Sequence, residues 1–247
     1  MKLVFSDFDG TLTNNGKLGA VFFDILNMIE SHESELIIVS GRSLSWGHFF
    51  LTHFPLKHVI MEGGGVIVSR SVDGVIHEEN LVTESEIKRL ESITTELLNK
   101  FPKCVLSADS FGRRTDRAIE FAQMSKEDIV EVEQFLHKNK VNFSRSNVHI
   151  NYWCGEMSKG SAVEYFLSHY TPHIKKDETI FYGDAANDES MFELFSNTVG
   201  VSNIMAILDQ LQYKPSIILE GKDNSGANGV YNHLREIFSS INEFEQN

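Results

Sequence analysis

Four prolines and two cysteines are all that 247 residues hold of either type. Two cysteines, Cys104 and Cys154, are too few for a disulfide framework or a zinc site. A reduced, cytoplasmic setting is therefore expected. With so little proline, and no run rich in glycine and serine, no flexible linker is visible. Basic residues are scarce too: 22 Lys and Arg stand against 35 Asp and Glu, a net charge of −13. That deficit argues against nucleic acid and anionic membrane as partners, because both need basic patches. It does not exclude a phosphate ligand, which needs only a local site. No apolar run approaches the roughly 20 residues of a membrane span. The N-terminus passes from one lysine straight into an acidic stretch, so no signal peptide is expected. Without secretion, the sequon Asn142-Phe143-Ser144 carries no meaning.

What is present reads as an ordinary globular chain, long enough for one or two domains. Lys2 to Phe5 is a short apolar run, read as a buried strand, and it stops at Asp7-Phe8-Asp9-Gly10-Thr11. Ligands of open α/β sheets bind just beyond such strand ends, so two carboxylates there are a place to put charge. An acidic turn is the plainer alternative. A helix over Val21–Ser31 follows, then a strand at Leu36–Val39 ending in Ser40-Gly41-Arg42. A strand, then Ser-Gly, then a helix start carrying Trp46, Phe49 and Phe50 can bind phosphate through free N–H groups and the helix dipole. It is equally an N-cap serine after a turn. His58–Met61 is a third strand, closed by Glu62-Gly63-Gly64-Gly65. No Lys-Ser/Thr follows those glycines, so they are read as a tight reversal into Val66–Val68, with Val75 and Ile76 pairing back. This βαβαβ order predicts a parallel sheet with helices on its faces.

From about Thr83 the texture changes to helix, two strands, helix, two strands. The helices are Glu84–Lys100 and Lys126–Asn139. The strands are Cys104–Leu106, Ala118–Ala122, Val141–Ser144 and Val148–Trp153. The expected fold class is thus α/β, a Rossmann-like core with a smaller α+β domain inserted. Residues 1–82 and 156–247 would form the core and 83–155 the insertion. The parallel texture resumes with a helix from Lys159 to Tyr170, for which Ser158 is the N-cap candidate. A strand at Thr179–Tyr182 ends in Gly183-Asp184-Ala185-Ala186-Asn187-Asp188, and a helix through Met191, Phe192 and Leu194 follows. Further strands are read at Thr198–Val201 and Ser216–Leu219, with a helix from Ile204 to Leu211 between them. A polar loop from Gly221 to Gly229 leads to a last helix from Val230 to Phe238.

Four stretches sit at strand ends or helix starts: Asp7-x-Asp9-Gly10-Thr11, Ser40-Gly41-Arg42, Lys159, and Gly183-Asp184-x-x-Asn187-Asp188. In this order and spacing the chain resembles the haloacid dehalogenase superfamily of aspartate-dependent phosphohydrolases. An α/β cap inserted between the second and third motifs resembles the sugar-phosphate phosphatase branch. Glu62-Gly63-Gly64 departs slightly from the Glu-Asn-Gly often found at that place in the family.

The resemblance implies Asp7 as nucleophile, forming an aspartyl-phosphate. It implies Asp9 as the acid that protonates the leaving alcohol and the base that later activates water. Four carboxylates and a phosphate in one crevice repel, at about 4 kcal/mol per pair 4 Å apart for an effective dielectric near 20. Mg2+ would relieve this, held by Asp7, the backbone carbonyl of Asp9 and Asp184, with Asp188 acting through water. Lys159 would supply fixed positive charge, and Ser40 with the Gly41 N–H would bind phosphate oxygens. Arg42, Asn187 and Asp188 complete the expected phosphate site, Asn187 by bracing it. A random first-turn lysine is usually solvated, but that end of a helix disfavours a cation, so a carboxylate or ligand partner is expected for Lys159.

Specificity would fall to the insertion. Arg113-Arg114-Thr115-Asp116-Arg117 is a dense polar cluster, and Arg114 is the candidate substrate contact; a solvated loop is the alternative. His149, Asn151 and Trp153 share one face of a strand. Trp153 either stacks on a sugar ring or, the favoured reading, packs on the core. The expected partner is a small phosphorylated metabolite, a sugar phosphate first. A phosphomutase, or a silent metabolite-binding protein that keeps the fold, are the other readings. Nothing in the sequence speaks to oligomeric state.

Overall fold

The computed structural model describes residues 1–120, 124–145 and 149–245. Among the described residues the chain forms twelve strands and seven α-helices. The first part runs β1 (Leu3–Ser6), α1 (Ala20–Ser31), β2 (Glu35–Val39), α2 (Leu44–His53), β3 (His58–Met61), β4 (Val66–Arg70) and β5 (Ile76–Asn80). A second part follows with α3 (Glu84–Lys100), β6 (Val105–Leu106), β7 (Asp116–Glu120), α4 (Lys126–Lys138), β8 (Asn142–Arg145) and β9 (His149–Trp153). The chain closes with α5 (Lys159–His169), β10 (Thr179–Gly183), α6 (Glu189–Leu194), β11 (Thr198–Gly200), β12 (Ile217–Ile218) and α7 (Ala227–Glu245).

The strands form two sheets. The larger has the order β12-β11-β10-β1-β2-β3-β4-β5. It is parallel from β12 to β3, and β4 and β5 add antiparallel at one edge. Side chains alternate across it with the two-residue period of a strand. Val4, Ile38, Val59 and Tyr182 pack with Phe22, Ile25, Phe50 and Leu234 of α1, α2 and α7. Leu3, Phe5, Ile37 and Phe181 face the other way, onto Val163 and Phe166 of α5 and Phe192 of α6. Burial on both faces is why these strands read as unbroken apolar runs. The smaller sheet is antiparallel, β6-β7-β9-β8. Its Ile119, Ile150 and Tyr152 make a separate core with Leu90, Ile93 and Leu97 of α3 and Ile129, Val132 and Leu136 of α4.

Capping residues set the helix starts. Thr83 with Glu86, Ser125 with Asp128, and Ser158 with Ser161 form reciprocal capping boxes at α3, α4 and α5. Ser158 is thus the N-cap expected from the sequence. Three expectations are corrected. The stretch Ile204–Leu211 is two short 3-10 turns, Ser202–Ala206 and Leu208–Gln210, not a helix. The last helix starts at Ala227, inside the expected polar loop, because Ala227 buries against the core beside Val230. Trp153 does not join the core of the smaller layer; Ile150 and Tyr152 take that face, and Trp153 lies opposite with Asn151. Ala122 and Val148, read as strand ends, fall outside the described residues.

Candidate active site

Parallel register brings the site together. Ser6 of β1 pairs with Tyr182 of β10 on one side and Ile38 of β2 on the other. One residue further along lie Asp7, Gly183 and Val39, then Asp184 and Ser40. The motifs from both halves of the chain therefore emerge at the carboxyl edge of three adjacent strands, where an open α/β sheet has room for a ligand.

Three carboxylates meet there. Asp7, Asp184 and Asp188 each offer an oxygen within 4.8 Å of the others. Lys159 stands between two of them, its Nζ 2.6 Å from Oδ1 of Asp7 and 2.6 Å from Oδ1 of Asp188. Its side chain is 1% exposed, so it is no solvated surface lysine. Burial works against its charge, but Asp188 and Asp7 outweigh that and hold its pKa above the ordinary value. Burial also pushes the Asp7 carboxyl well up; Lys159 draws it back, while Asp188 and Asp184 push further. Asp184 is pushed up to about 7, again first by burial and then by Asp188.

The second oxygen of Asp188 accepts the backbone N–H groups of Asp184 and Ala185, both at 3.0 Å. Both of its oxygens are therefore committed to bracing the loop and Lys159. Asp184 is held at each oxygen, by the Thr11 hydroxyl at 2.7 Å and the Asn203 amide at 2.6 Å. Asn203 also donates to the Gly10 carbonyl at 3.1 Å. Sequence reasoning missed Asn203; its signal was only an amide three residues beyond β11. Gly10 sits at φ 85°, and a β-carbon there would lie 2.3 Å from Asp184 Oδ2. Glycine is needed both for the conformation and for the close approach.

Asp9 stands apart from this cluster. Arg42 grips it with two hydrogen bonds, Nε to Oδ2 at 2.7 Å and Nη2 to Oδ1 at 2.6 Å. The guanidinium lies 4.0 Å from the Trp46 ring centroid, a stacking that a planar cation favours. The Ser40 hydroxyl accepts the Arg42 N–H at 3.2 Å. Asn187 stands across from Gly41, its amide nitrogen 3.7 Å from where a β-carbon would be. Arg114 pairs with Glu78 at 2.5 Å and reaches Asn80 at 3.4 Å. Arg113, its neighbour, is spent on Asp109 and Asp116 and donates to the Gly41 carbonyl at 3.1 Å. Much of the polar cluster read as a possible sugar contact is thus an internal network.

The three-carboxylate cluster fits a hard divalent cation. All its donors are oxygen, which suits Mg2+. Burial first, and then the neighbouring carboxylates, raise Asp7 and Asp184, and a cation would offset both. Asp188 already faces the Lys159 ammonium, whereas Asp184 meets only the neutral donors Thr11 and Asn203, so Asp184 with Asp7 is the pair suited to hold it. Among the described residues no helix is long and apolar enough to cross a membrane.

Comparison with known proteins agrees. The profile of the sucrose-6F-phosphate phosphohydrolase family matches residues 1–234. A protein of Thermoplasma acidophilum superposes with a TM-score of 0.73 at 17% identity, over 95% of this chain and 98% of that one. A haloacid dehalogenase-superfamily phosphatase of Bacteroides thetaiotaomicron gives 0.68 at 18%, over 96% and 94%. The sucrose-phosphatase of Synechocystis, in complex with sucrose and phosphate, gives 0.71 at 16%, over 95% and 97%. At these identities the structural likeness concerns the fold. No curated protein matches the chain.

Proposed function

The chain belongs to the sucrose-6F-phosphate phosphohydrolase family, within the haloacid dehalogenase superfamily, and from that premise we propose that it is a Mg2+-dependent, cytoplasmic phosphatase of a small sugar phosphate. The observation that carries this reading is Lys159, buried between Asp7 and Asp188 with Asp184 alongside. A buried ammonium fixed beside an otherwise acidic cluster is what an incoming phosphoryl group needs. Residues 1–82 and 156–247 are the catalytic core in this reading, and 83–155 the cap.

Phosphate monoesters hydrolyse very slowly in water, so charge neutralisation, a nucleophile and a proton donor must act together. Asp7 is the nucleophile. Its Oδ1 is held by Lys159, which leaves Oδ2 to attack phosphorus and form an aspartyl-phosphate. Lys159 offsets charge on Asp7 and on the transferring group. The Ser40 hydroxyl and the Gly41 N–H receive phosphate oxygens, with Asn187 facing them. Mg2+, held by Asp7 and Asp184 and the Asp9 carbonyl, would neutralise the phosphate and align it. Asp9 gives its proton to the leaving alcohol and then takes one from water. To do so it must leave Arg42, which holds both of its oxygens in this structure.

The Synechocystis sucrose-phosphatase, complexed with sucrose and phosphate, makes sucrose 6F-phosphate the first substrate to try. The test is phosphate release from a panel of sugar phosphates with Mg2+, with Asp7→Asn as control. Hydrolysis that vanishes in Asp7→Asn supports the reading; hydrolysis that survives it refutes the mechanism. Isomerised substrate without phosphate release would instead favour a mutase.

A further inference from the structure

The turn after β3 reads in the sequence as a reversal, but it carries a fully buried carboxylate, that of Glu62 (0% exposed). Its backbone lies at φ 55°, a conformation that residues with a β-carbon seldom adopt. Every contact of this carboxylate is with a donor. Oε1 accepts the N–H of Leu44, at the start of α2, and of Arg114, both at 3.0 Å. Oε2 accepts the N–H groups of Arg114 at 3.0 Å, Thr115 at 2.6 Å and Asp116 at 3.3 Å, and the Thr115 hydroxyl at 2.7 Å. One side chain of the core therefore binds three successive amides of the cap and the first amide of a core helix. The contact leaves no spare room: a β-carbon on Gly65 would lie 2.0 Å from the Thr115 hydroxyl oxygen.

The backbone of the same turn grips residues 40–42. Gly63 N–H donates to the Ser40 carbonyl at 3.0 Å, and Glu62 N–H to the Arg42 carbonyl at 2.9 Å. The carbonyl between them, Gly41, accepts from Arg113 of the cap at 3.1 Å. A planar trans peptide points its C=O and the next N–H in opposite directions. Fixing the Ser40 and Gly41 carbonyls therefore fixes where the Gly41 and Arg42 N–H groups point. Two of the three anchors come from the core turn and one from the cap.

We propose that Glu62 is a positioning residue whose carboxylate seats the cap and thereby sets the amide directions of the 40–42 loop. Phosphate is then gripped fully only with the cap in place. The proposal rests on the phosphatase reading for its meaning, not for its test. Neither Glu62 nor Thr115 touches phosphate; both act through Arg113 and the loop.

Glu62→Gln keeps the size but makes one acceptor a donor, facing N–H groups on either side. Hydrogen exchange of the substrate-free protein reads the result. Peptides covering 40–43, which leave out the Leu44 amide bound directly by Glu62, and 113–117 should speed up together by about tenfold or more, as expected for lost hydrogen bonds to a charged acceptor, while those covering β10 stay unchanged. Thr115→Val removes a single donor and should give a smaller rise in both peptides; Thr115→Ser, which keeps the hydroxyl, should restore both. If Glu62→Gln fails to fold, the Thr115 pair decides. Faster exchange at 113–117 with 40–43 unaltered overturns the proposal. Calorimetric titration with inorganic phosphate and Mg2+ gives a second arm: Thr115→Val should bind phosphate more weakly than wild type and Thr115→Ser should not, and equal affinities overturn it. A wild-type protein that binds no phosphate would count against the phosphatase reading, and the exchange comparison would still decide the role of Glu62.

Discussion

Lys159 and Asp7 lie 152 residues apart in sequence and 2.6 Å apart in space, ammonium to carboxylate. Because Asp188 takes the same ammonium, deleting it leaves two buried carboxylates facing each other. Lys159→Met should therefore abolish turnover and also destabilise the fold by about 3–5 kcal/mol, the cost of breaking a buried pair from one side. Urea unfolding checks this. The change Asp7→Asn should cost less in the Lys159→Met background than in wild type, with a coupling of about 1 kcal/mol or more. An equal cost in both backgrounds would mean that the two groups do not interact.

In the proposed reading Mg2+ rests on Asp184 and Asp7; Asp184 meets only the neutral donors Thr11 and Asn203, whereas Asp188 already faces Lys159. Mg2+ at a hundred times its dissociation constant should stabilise the wild-type protein by about 2.7 kcal/mol. Thermal melts with Mg2+ and with a chelator measure this as a rise in Tm. Asp184→Asn keeps an acceptor for Thr11 but loses the charge, and its melt should no longer respond to Mg2+. A Tm shift of wild-type size in that variant would move the cation elsewhere.

The sequence made the main frame legible because the strands of the large sheet bury both faces and so stand out as apolar runs. The ends of those runs carried Asp7, Ser40 and Asp184, and the family resemblance implied that they meet at one site. Side-chain partnerships across long separations left no such mark. Nothing local in Glu62-Gly63-Gly64 tells that the carboxylate reaches residues 114–116. The arginines at 113 and 114 looked free as a cluster, yet their partners, Asp109, Asp116 and Glu78, are scattered over several elements. The start of α7 hides for a similar reason: glycine and asparagine at 226–229 look like loop, and burial of Ala227 overrides them.

Arg42 and Asp9 form a pair whose side chains are 32% and 46% exposed, so its worth to stability is small, about 1 kcal/mol or less. Its worth to activity is larger if Asp9 exchanges between Arg42 and the leaving group. Asp9→Asn should lower kcat by about 10²–10⁴, the usual range for a lost general acid. Arg42→Lys keeps the charge but loses the two-pronged grip and the stacking on Trp46. It should leave the urea midpoint nearly unchanged while altering kcat and the acid side of the pH–rate profile. A variant with wild-type kinetics would make Arg42 a surface partner only.

Asp116 offers a test of the smaller layer's electrostatics that needs no substrate. Its carboxyl is pushed up to about 6, first by burial and further by Glu62, against the pull of Arg113. The unfolded chain titrates near the ordinary value of 3.8. The folded protein therefore holds this proton longer, and the stability it contributes is complete below about pH 4 and lost as pH rises through about 6. Asp116→Asn carries a neutral amide at every pH and cannot show that loss. Measured by urea unfolding at pH 4 and pH 7, the stability of Asp116→Asn relative to wild type should rise with pH, by on the order of 2–3 kcal/mol for a shift of this size. The sign is fixed because the folded value of about 6 already includes the pull of Arg113, which is strongest where Asp116 is ionised. A difference that does not change between pH 4 and pH 7, or that falls, would mean that Asp116 titrates in the folded protein as it does in the unfolded one, and that Glu62 and burial do not act on it as the geometry requires.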